Sequence, residues 1–495
     1  MELILTIIVS DKLDCYKSQF ESIFIEPVWR CLMWGIVLRY KDEVSLARQI
    51  YLSMKQRILE GQFLQGEALP STRELAKGLN VSRNTVCEAY DMLLAEGFIV
   101  SHQGAPTRVA KGIHLTIKKT ILPMERKLDP PILWDFKTGQ PDLSRFPLKL
   151  WGQLLHEAAS TMTTSLLEYS GPKGYEPLCE EIAHWLLRSR SMEVNPEDVF
   201  ITSGTTEALH LLVEILHKDG HSFVLENPSH QGMRTVVSDR GYSTDWLIVD
   251  QQGADIATLK GKDISAVYVT PSHQFPLGGI LPAGRRSALI HYANENDFYI
   301  IEDDYDSEFR YSGYPISPMY SMDSSHVIYV GTFSKTLFPA LRIGFVVLPK
   351  QLQKKWRHYR NYMDVQNPIL EQITLANFLH MRKMDKHIGR MRKVYGEKRE
   401  ILLHSIEDMF GSSVQPWGDA SGLHIALQFT GMEFNEEFIG KCREAGIRIS
   451  SVTGYCSMKD SHKDKLLLGY GHLSHKQIQE GIKALYEIIR LNSKC

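Results

Sequence analysis

The stretch Leu69–Val100, LPSTRELAKGLNVSRNTVCEAYDMLLAEGFIV, decides the fold of the N-terminal part of the chain. Ser71 is a favourable N-cap residue, and Glu74 stands three positions later, which is the pattern of a capping box. This pattern predicts a helix that ends near Leu79. The residues GLNV at 78–81 predict a short turn after that helix.

Beyond this turn, Ser82 is a second N-cap residue and predicts a second helix that runs to Glu96. Gly97 follows at a position where helices favour a residue with positive φ. Two short extended runs within Phe98–Val109 predict a β-wing. Two short helices joined by a turn form a helix-turn-helix, so the expected fold class of this part is an α+β winged helix-turn-helix.

The start of the second helix carries the side chains expected to read DNA. In a helix-turn-helix these positions reach base edges, and here they hold Arg83, Asn84 and Thr85. Arg73 and Lys77 on the first helix are expected to contact phosphates. The full expected DNA-binding set is Ser71, Arg73, Lys77, Ser82, Arg83, Asn84 and Thr85. A helical hairpin without a role in DNA binding is the alternative.

Composition narrows the class of protein. A chain of 495 residues predicts two or three domains, and a formal net charge of −2 means that any DNA-binding surface is local. The seven cysteines form no C-x-x-C pair, which indicates reduced thiols rather than a disulfide framework. No apolar run reaches about 18 residues, so we expect a cytoplasmic protein that does not contact membranes.

A basic, proline-containing segment separates two parts of the chain. It predicts a linker at 111–133, between a DNA-binding domain at 33–110 and a larger domain at 134–495. Residues 1–32 are expected to be an extension. The larger domain is expected to have a large lobe to about residue 350 and a smaller lobe at about 375–495.

After residue 134, short apolar runs alternate with amphipathic stretches, which predicts an α/β domain with a mainly parallel sheet. The expected strands are Val199–Thr202, Phe223–Leu225, Ala266–Val269, Phe298–Ile301, Val327–Val330 and Gly344–Leu348. The expected helices are Thr206–His217, Gly232–Arg240, Ala283–Asn296 and Lys383–Leu403. Open α/β sheets bind ligands beyond the carboxyl ends of their strands.

Polar segments follow four of these strands. SGTT at 203–206 begins a helix and suits a phosphate. EDDYD at 302–306 places four acids where they need a partner, such as a metal or a cationic ring nitrogen. GTFSK at 331–335 offers Lys335 as a Schiff-base lysine, with Arg342 close enough in sequence to reach a phosphate. PSHQFPLG at 271–278 presents polar side chains at the same edge.

A lysine, a strand-end aspartate and a phosphate-binding segment are together what pyridoxal 5′-phosphate requires. A metal-dependent enzyme that uses Asp303, Asp304 and Asp306 is the competing interpretation. No P-loop and no second carboxylate cluster accompany these acids, so no metal site is expected.

Two family resemblances fit these motifs. The segments LPSTRELA, VSRNTV and AYDMLLAEGFI resemble the GntR-type winged helix, and the chain from about Trp134 onward resembles the fold-type-I aminotransferases. The chain from about Met33 resembles the MocR-type regulators, which join these two parts. The resemblance implies a homodimeric transcription regulator that binds an operator in double-stranded DNA, carries pyridoxal 5′-phosphate and senses an amine or amino acid.

The resemblance also implies residue roles. Lys335 would be the Schiff-base lysine, Asp303 would pair with the pyridine nitrogen, and Tyr305 would bond the ring oxygen, with Gln274 near that oxygen. His230 stands where many members stack an aromatic ring on the cofactor, and Tyr169 where the family sends a tyrosine into the neighbouring subunit's site. The residues around the phosphate would be Gly204, Thr205, Thr332, Ser334 and Arg342.

The expected effector pocket departs from the family pattern. Aminotransferases grip the substrate carboxylate with an arginine in a C-terminal stretch that reads LLLGY at 466–470 here, with Leu467 in the arginine's place. The arginine of the GABA-responsive member is missing in the segment Tyr455–Ser457. A second ligand-gripping arginine is also missing, with Gly232 near its place and Arg234 two residues on.

Two functional hypotheses remain, a DNA-binding regulator and a working aminotransferase with an accessory domain. One scaffold hosts both functions, so the fold does not separate them. The helix-turn-helix and the missing arginine favour the regulator. The basic stretch Arg382–Glu400 is interpreted as a solvated helix face, and His424 either lines the pocket or is a buried structural histidine.

Overall fold

The structure is a computed structural model that describes residues 36–40, 43–113, 130–418, 421–457 and 461–492. These residues form two compact units, one before and one after residues 114–129. The expected extension 1–32 and most of the expected linker 111–133 lie outside the described residues. In the described ranges no helix has both the length and the apolar character needed to cross a membrane.

The first unit has the expected winged helix-turn-helix fold. Its elements are α1 (Leu46–Leu59), α2 (Thr72–Leu79), α3 (Arg83–Ala95), β1 (Ile99–Val100) and β2 (Arg108–Val109). The two short strands pair antiparallel and form the wing. Leu75 from α2 and Val86 and Leu93 from α3 are fully buried against Ile50 of α1, so the apolar sides of the three helices make one small core.

The second unit begins with a short strand and a pair of helices that lead into the main sheet. In chain order its first elements are β3 (Trp134–Asp135), α4 (Leu148–Thr161), α5 (Glu176–Arg190), β4 (Val199–Thr202), α6 (Thr205–Leu216), β5 (Ser222–Asn227), α7 (Gln231–Ser238), β6 (Thr244–Asp250), β7 (Gly253–Ala254), β8 (Ile264–Val269), α8 (Ala283–Glu295), β9 (Tyr299–Asp304), β10 (Val327–Thr332) and β11 (Gly344–Val347). Each expected strand and helix of this region is present.

The main sheet has eight strands in the order β4-β11-β10-β9-β8-β5-β6-β7. The five strands from β10 to β6 in this order are parallel, which confirms the expected mainly parallel sheet. β11 runs antiparallel to both of its neighbours. Residues on the two faces alternate between two hydrophobic clusters, one with Trp185 and Phe378 and one with Leu212 and Trp356.

The rest of the second unit forms a smaller antiparallel sheet with long helices. Its elements are α9 (Lys350–Arg360), α10 (Ile369–His380), α11 (Lys383–Phe410), β12 (Val414–Trp417), β13 (His424–Phe429), α12 (Glu436–Glu444), β14 (Ile447–Arg448), β15 (Ser450–Ser451), β16 (Lys465–Gly469) and α13 (His475–Asn492). The sheet order is β12-β13-β16-β15. The expected helix at Lys383–Leu403 is α11, which continues two turns further.

Candidate functional site

Hydrogen bonds from main-chain N–H groups to serine side chains fix both helix starts of the helix-turn-helix. Ser71 Oγ accepts from the main-chain N–H of Glu74 at 3.2 Å, and Glu74 Oε2 accepts from the N–H of Ser71 at 2.9 Å. Ser82 Oγ accepts from the N–H of Thr85 at 3.1 Å. The capping box and the second cap are therefore formed as the sequence predicts, and both serines support helix geometry.

Six of the seven residues expected at DNA are exposed on α2, on α3 or at the caps of these helices. Thr85 is half-buried, and its hydroxyl lies 2.8 Å from Ser82 Oγ. Arg83 Nε donates to Thr72 Oγ1 at 3.3 Å, which joins the starts of the two helices. The six exposed members of the set are Ser71, Arg73, Lys77, Ser82, Arg83 and Asn84.

A cavity of about 280 Å³ lies at the carboxyl ends of β8, β9 and β10. Its walls include Lys335 and seven of the other residues that the resemblance implies, namely Thr205, His230, Asp303, Tyr305, Thr332, Ser334 and Arg342. The edge of the sheet therefore brings together segments that lie more than 100 residues apart in the sequence.

The acidic segment after the predicted strand lies partly inside β9, which corrects the expectation that all four acids share one strand end. Glu302 accepts hydrogen bonds from the main-chain N–H groups of Met319 and Tyr320 at 2.8 and 3.0 Å. Asp304 lies 3.2 Å from Nη2 of Arg190 and accepts a bond from the hydroxyl of Tyr329 at 2.8 Å. Each acid has a separate protein partner, and this argues against a common metal site of Asp303, Asp304 and Asp306.

Asp303 is the acid that faces the cavity. Its Oδ2 accepts a hydrogen bond from the hydroxyl of Tyr268 at 2.7 Å. Its Oδ1 is buried and, among the described residues, has no hydrogen-bond partner. Burial raises the pKa of Asp303 to about 7. A buried carboxylate oxygen with an open acceptor position suits a cationic N–H group, so the residues present fit the pyridine nitrogen that the family resemblance implies.

Lys335 extends into the same cavity from the loop after β10. Its Nζ donates to the carbonyl oxygen of Gly139 at 2.8 Å. Burial lowers the pKa of Lys335, while Asp306 and Asp303 act in the opposite direction. A Cβ atom at position 139 would stand 2.8 Å from Nζ, so any larger residue there would displace the end of the lysine side chain. A desolvated amine of this kind is suited to nucleophilic attack on a carbonyl group.

One end of the cavity is lined by hydroxyl groups and an arginine. Thr205 begins α6 after Gly204, whose φ of 96° is in the region that favours glycine. Thr332 Oγ1 accepts from the main-chain N–H of Ser334 at 3.2 Å. Arg342 donates from Nη2 to the carbonyl oxygen of Ser203, next to the start of α6. A helix start, hydroxyl groups and a guanidinium suit a phosphate group.

Gln274 does not face the cavity, which corrects one expectation. Its Nε2 donates to the carbonyl oxygens of Pro228 and Phe275 at 2.9 and 2.7 Å, and its Oε1 accepts from the N–H of Leu277 at 3.0 Å. These bonds hold the loop after β8, so the amide is occupied by its own loop. Tyr305 lines the cavity, and its hydroxyl donates to the carbonyl oxygen of His273 at 3.0 Å.

Two other residues of the expected set lie at or beyond the edge of the cavity. His230 is exposed at the rim, with its ring 5.7 Å from that of Phe275 in an edge-on arrangement. Tyr169 is 83% exposed and does not line the cavity of its own chain. The roles of both residues remain predictions.

Several residues of the cavity wall lie outside the segments that the sequence indicated. They are Thr138, Gly139, Tyr268, Thr270 and Pro339. Gly139 stands in the turn sequence TGQPD, which is a signal of a close backbone approach. Tyr268 lies inside an apolar strand, where a tyrosine is normally interpreted as a core residue. His424 also lines the cavity, and its Nε2–H donates to the carbonyl oxygen of Pro276 at 3.2 Å.

Leu467, which the resemblance aligns with the carboxylate-binding arginine of aminotransferases, is fully buried on β16 and packs in a cluster with Phe275, Val452 and Cys456. Arg234 reaches this cluster, since its Nη1 donates to the carbonyl oxygen of Cys456 at 3.2 Å. Among the described residues, Arg342 is the single arginine of the cavity wall. It lies at the end of the cavity that suits a phosphate group.

Comparisons with known proteins agree with both units. Residues 46–109 match the family described as bacterial regulatory proteins, gntR family, and residues 131–485 match aminotransferase class I and II. The uncharacterized HTH-type transcriptional regulator YdeL of Bacillus subtilis (strain 168) is 35% identical over 459 residues, which cover 90% of this chain and 96% of the relative. The probable rhizopine catabolism regulatory protein MocR of Rhizobium meliloti is 30% identical over 474 residues, with 91% and 95% coverage.

The chain belongs to the MocR-type GntR regulators. It is a transcription regulator with an aminotransferase-like domain, and its GntR domain implies DNA binding. Among solved structures, this MocR-type regulator is similar to the α-aminoadipate aminotransferase LysN from Thermus thermophilus. The TM-score is 0.66 and the identity 25%, over 72% of this chain and 92% of that chain.

Proposed function

We propose that this MocR-type regulator binds pyridoxal 5′-phosphate through Lys335, senses an amine or amino acid at the cofactor, and binds an operator through its winged helix. The observation that supports the proposal most directly is the pairing of two groups in one cavity of about 280 Å³. These are the desolvated amine of Lys335 and the open Oδ1 of Asp303. The LysN structure, whose ligand is a phosphopyridoxyl-leucine, supports the choice of cofactor.

Different residues of the cavity would hold different parts of the cofactor. The bound cofactor supplies an aldehyde that an amine can capture and a pyridine ring that withdraws electrons. Asp303 would keep the ring nitrogen protonated, and Tyr305 would lie near the ring oxygen. His230 would cover a face of the ring. Thr205, Thr332, Ser334 and Arg342 would hold the phosphate group, with Gly204 allowing the close approach of the α6 start to Arg342.

The winged helix supplies the DNA-binding surface of the proposal. Arg83, Asn84 and Thr85 read base edges at the start of α3. Arg73 and Lys77 neutralise phosphates. Ser71 and Ser82 act through the helix starts that they cap. A homodimer, with Tyr169 entering the partner's cavity, would present two such surfaces to an operator with two half-sites.

The alternative function is that of an aminotransferase, which the similarity to LysN favours. Leu467 weighs against it, because a buried leucine cannot form the bond to a substrate carboxylate that the expected arginine would form. An effector can still be recognised through its amino group at Lys335 without being turned over.

A screen of amines and amino acids tests the proposed function. The full-length protein loaded with pyridoxal 5′-phosphate is titrated with each compound while operator affinity and the absorbance of the bound cofactor are measured in parallel. We expect one or a few compounds to change both signals. Spectral changes that never alter operator affinity would contradict a sensing role, and a protein that takes up no cofactor would contradict the proposal as a whole.

A further inference from the structure

Aromatic side chains gather around Phe275 in the wall of the proposed cofactor cavity. The ring centroid of Phe275 lies 5.3 Å from that of His424 and 5.7 Å from that of His230. It lies 6.0 Å from the ring of Tyr305 and 5.2 Å from that of Tyr455. All four pairs have the edge-to-face arrangement that aromatic rings favour. The four of these residues that line the cavity, His230, Phe275, Tyr305 and His424, are called the aromatic wall below.

Apolar side chains support the aromatic wall from behind. Phe275 is 9% exposed and belongs to the same buried cluster as Leu467. The other buried members of this cluster are Val249, Leu277, Ala426, Val452 and Cys456. A group that lies against Phe275 is therefore removed from water by apolar atoms, which favours an apolar group.

The cationic groups of the cavity have other tasks in the proposed function. In the part of the chain that the structure describes, no lysine or arginine other than Lys335 and Arg342 lines this cavity. Arg342 is held beside the start of α6, where its Nη2 donates to the carbonyl oxygen of Ser203, and it would bind the cofactor's phosphate. Lys335 would be the attachment point of the cofactor. Neither cation is then left to pair with an acidic group of the effector.

The other titratable groups near the aromatic wall add no positive charge. Burial lowers the pKa of His424 to about 3 and also lowers the pKa of His230, so both rings are mainly neutral at pH 7. Burial lowers the pKa of Lys335 as well, but Asp306 and Asp303 act in the opposite direction, so two carboxylates lie close enough to influence the amine. A further carboxylate in this cavity would meet neutral rings and negative charge.

We propose that the effector is a primary amine with a small apolar or aromatic substituent and no carboxylate, and that Phe275 selects this substituent. The cavity of about 280 Å³ must also hold the cofactor, which limits the size of the substituent. An apolar substituent gains from burial against the aromatic wall, whereas a carboxylate would lose its hydration without gaining an ion pair. This inference rests on the function proposed above, because it names the class of effector for the same site.

Pairs of compounds that differ by a single carboxylate test the proposal on the full-length protein. The first pairs are 2-phenylethylamine with phenylalanine and propylamine with 4-aminobutanoate. Any other compound that the screen finds is compared with its counterpart that gains or lacks the carboxylate. Each compound is titrated into the protein loaded with pyridoxal 5′-phosphate, and its dissociation constant is obtained from the absorbance of the cofactor and, independently, from operator affinity. We expect the amine of a responding pair to bind at least tenfold more tightly than the acid.

The outcomes distinguish this inference from the function on which it rests. Binding of the acid as tightly as the amine, or more tightly, would overturn the inference and leave the proposed sensing function intact. A protein that responds to no compound would contradict the proposed function and this inference together. Arg234→Ala tests the alternative source of a cation, because Arg234 reaches the cluster of Leu467. Tight binding of an acid that is lost in Arg234→Ala would identify Arg234 as a carboxylate-binding residue and overturn the inference.

The role of Phe275 is tested by a variant that stays apolar but lacks the ring. Phe275→Leu should weaken binding of the preferred amine by roughly three- to tenfold, because the edge-to-face contacts are lost. Phe410→Leu is the matched control, since Phe410 is a partly buried phenylalanine of the same unit that does not line the cavity. Unchanged binding in Phe275→Leu, or equal weakening in both variants, would overturn the assignment to Phe275. The comparison of amine with acid uses the wild-type protein and remains decisive if Phe275→Leu does not fold.

Discussion

At the scale of single residues, the cofactor cavity depends on two buried groups of opposite charge. The Lys335 amine lies directly against the main chain of Gly139, where a Cβ atom would stand 2.8 Å from Nζ. Asp303 keeps one oxygen open because Tyr268 bonds the other. The cavity therefore holds a nucleophilic amine and an unpaired acceptor before any ligand is present, and each can be tested by itself.

Lys335 is predicted to be the attachment point of the cofactor. After incubation with pyridoxal 5′-phosphate and reduction with borohydride, mass spectrometry should find a pyridoxyl group on the peptide that contains Lys335. Lys335→Ala should lose the label and keep its fold, since the amine makes a single hydrogen bond, to Gly139, among the described contacts. Lys137→Ala, which removes a neighbouring cation, is the control and should keep the label. Label on another lysine of the wild-type protein would refute the assignment.

Asp303→Asn is predicted to stabilise the cofactor-free protein at high pH. The carboxyl pKa is raised to about 7 in the folded state from a usual 3.8, so folding takes up a proton between these values and stability falls as pH rises through them. The stability advantage of the asparagine variant should therefore grow by about 2 kcal/mol from pH 5.5 to pH 8. Urea unfolding followed by tryptophan fluorescence measures it.

Asp306→Asn provides the opposite control for this measurement. Burial disfavours the ionised form of Asp306, yet the imidazole of His273, 2.8 Å away, holds the pKa of this carboxyl below its usual value. Its ionised form therefore contributes stability above the unfolded pKa, and the asparagine variant should be less stable at both pH values. An advantage of Asp303→Asn that does not change with pH would contradict the assigned pKa.

At the scale of elements, α3 is predicted to be the recognition helix. Arg83→Ala should cost roughly 1–3 kcal/mol of operator binding and relax the preference at one base position, since a base contact is lost. Lys77→Ala should weaken binding to all sequences and reduce the salt dependence by about one unit. Mobility-shift titrations at several salt concentrations separate the two effects. If Arg83→Ala binds its operator like the wild type, the assigned docking mode is incorrect.

Local sequence signals were enough to predict the helix-turn-helix and six of the eight strands of the main sheet, whereas β6, β7 and the smaller antiparallel sheet were not predicted. Ser71 and Glu74 meet through hydrogen bonds that span three residues, so the capping box is visible in the sequence. The parallel strands β5, β8, β9 and β10 were visible as apolar runs. The antiparallel direction of β11 was not, because strand direction is set by the path of the chain and not by a strand's own residues.

The cofactor site was predictable where the motif itself carries the chemistry, as with Lys335 and Asp303. It was not predictable where distant contacts decide the role of a side chain. Gln274 is turned away by carbonyl oxygens of its own loop and of Pro228, 46 residues away in the sequence. Its place in an apolar strand predicts that Tyr268 is a core residue. The pairing of β8 with β9 brings its hydroxyl to Asp303, and this pairing is not visible in the strand's own sequence.

At the scale of the whole molecule, a DNA-binding unit and a cofactor-binding unit on one chain suit signalling without turnover. A ligand shifts an equilibrium between two states only by the difference in its affinity for them. An amine that displaces Lys335 from the cofactor would change the contacts of one buried residue. This is sufficient for a regulator, because coupling requires a difference in binding free energy and no chemical product.

The protein is accordingly predicted to be a poor aminotransferase. Transamination needs a fixed orientation of the substrate at the reacting carbon as well as the ring chemistry. The amine and the carboxylate for the ring are present, but Leu467 stands in a buried apolar cluster where aminotransferases place an arginine. A missing bond to a charged carboxylate is worth ~1.5–3 kcal/mol, so common α-amino acids should bind weakly and in the wrong orientation.

An assay for keto-acid product, run on the cofactor-loaded protein with amino-donor and 2-oxo-acid pairs, should find little product even for compounds that change the absorbance spectrum. Sustained multiple turnovers with a common pair would instead establish the enzyme hypothesis, with carboxylate recognition supplied by a residue other than that at position 467.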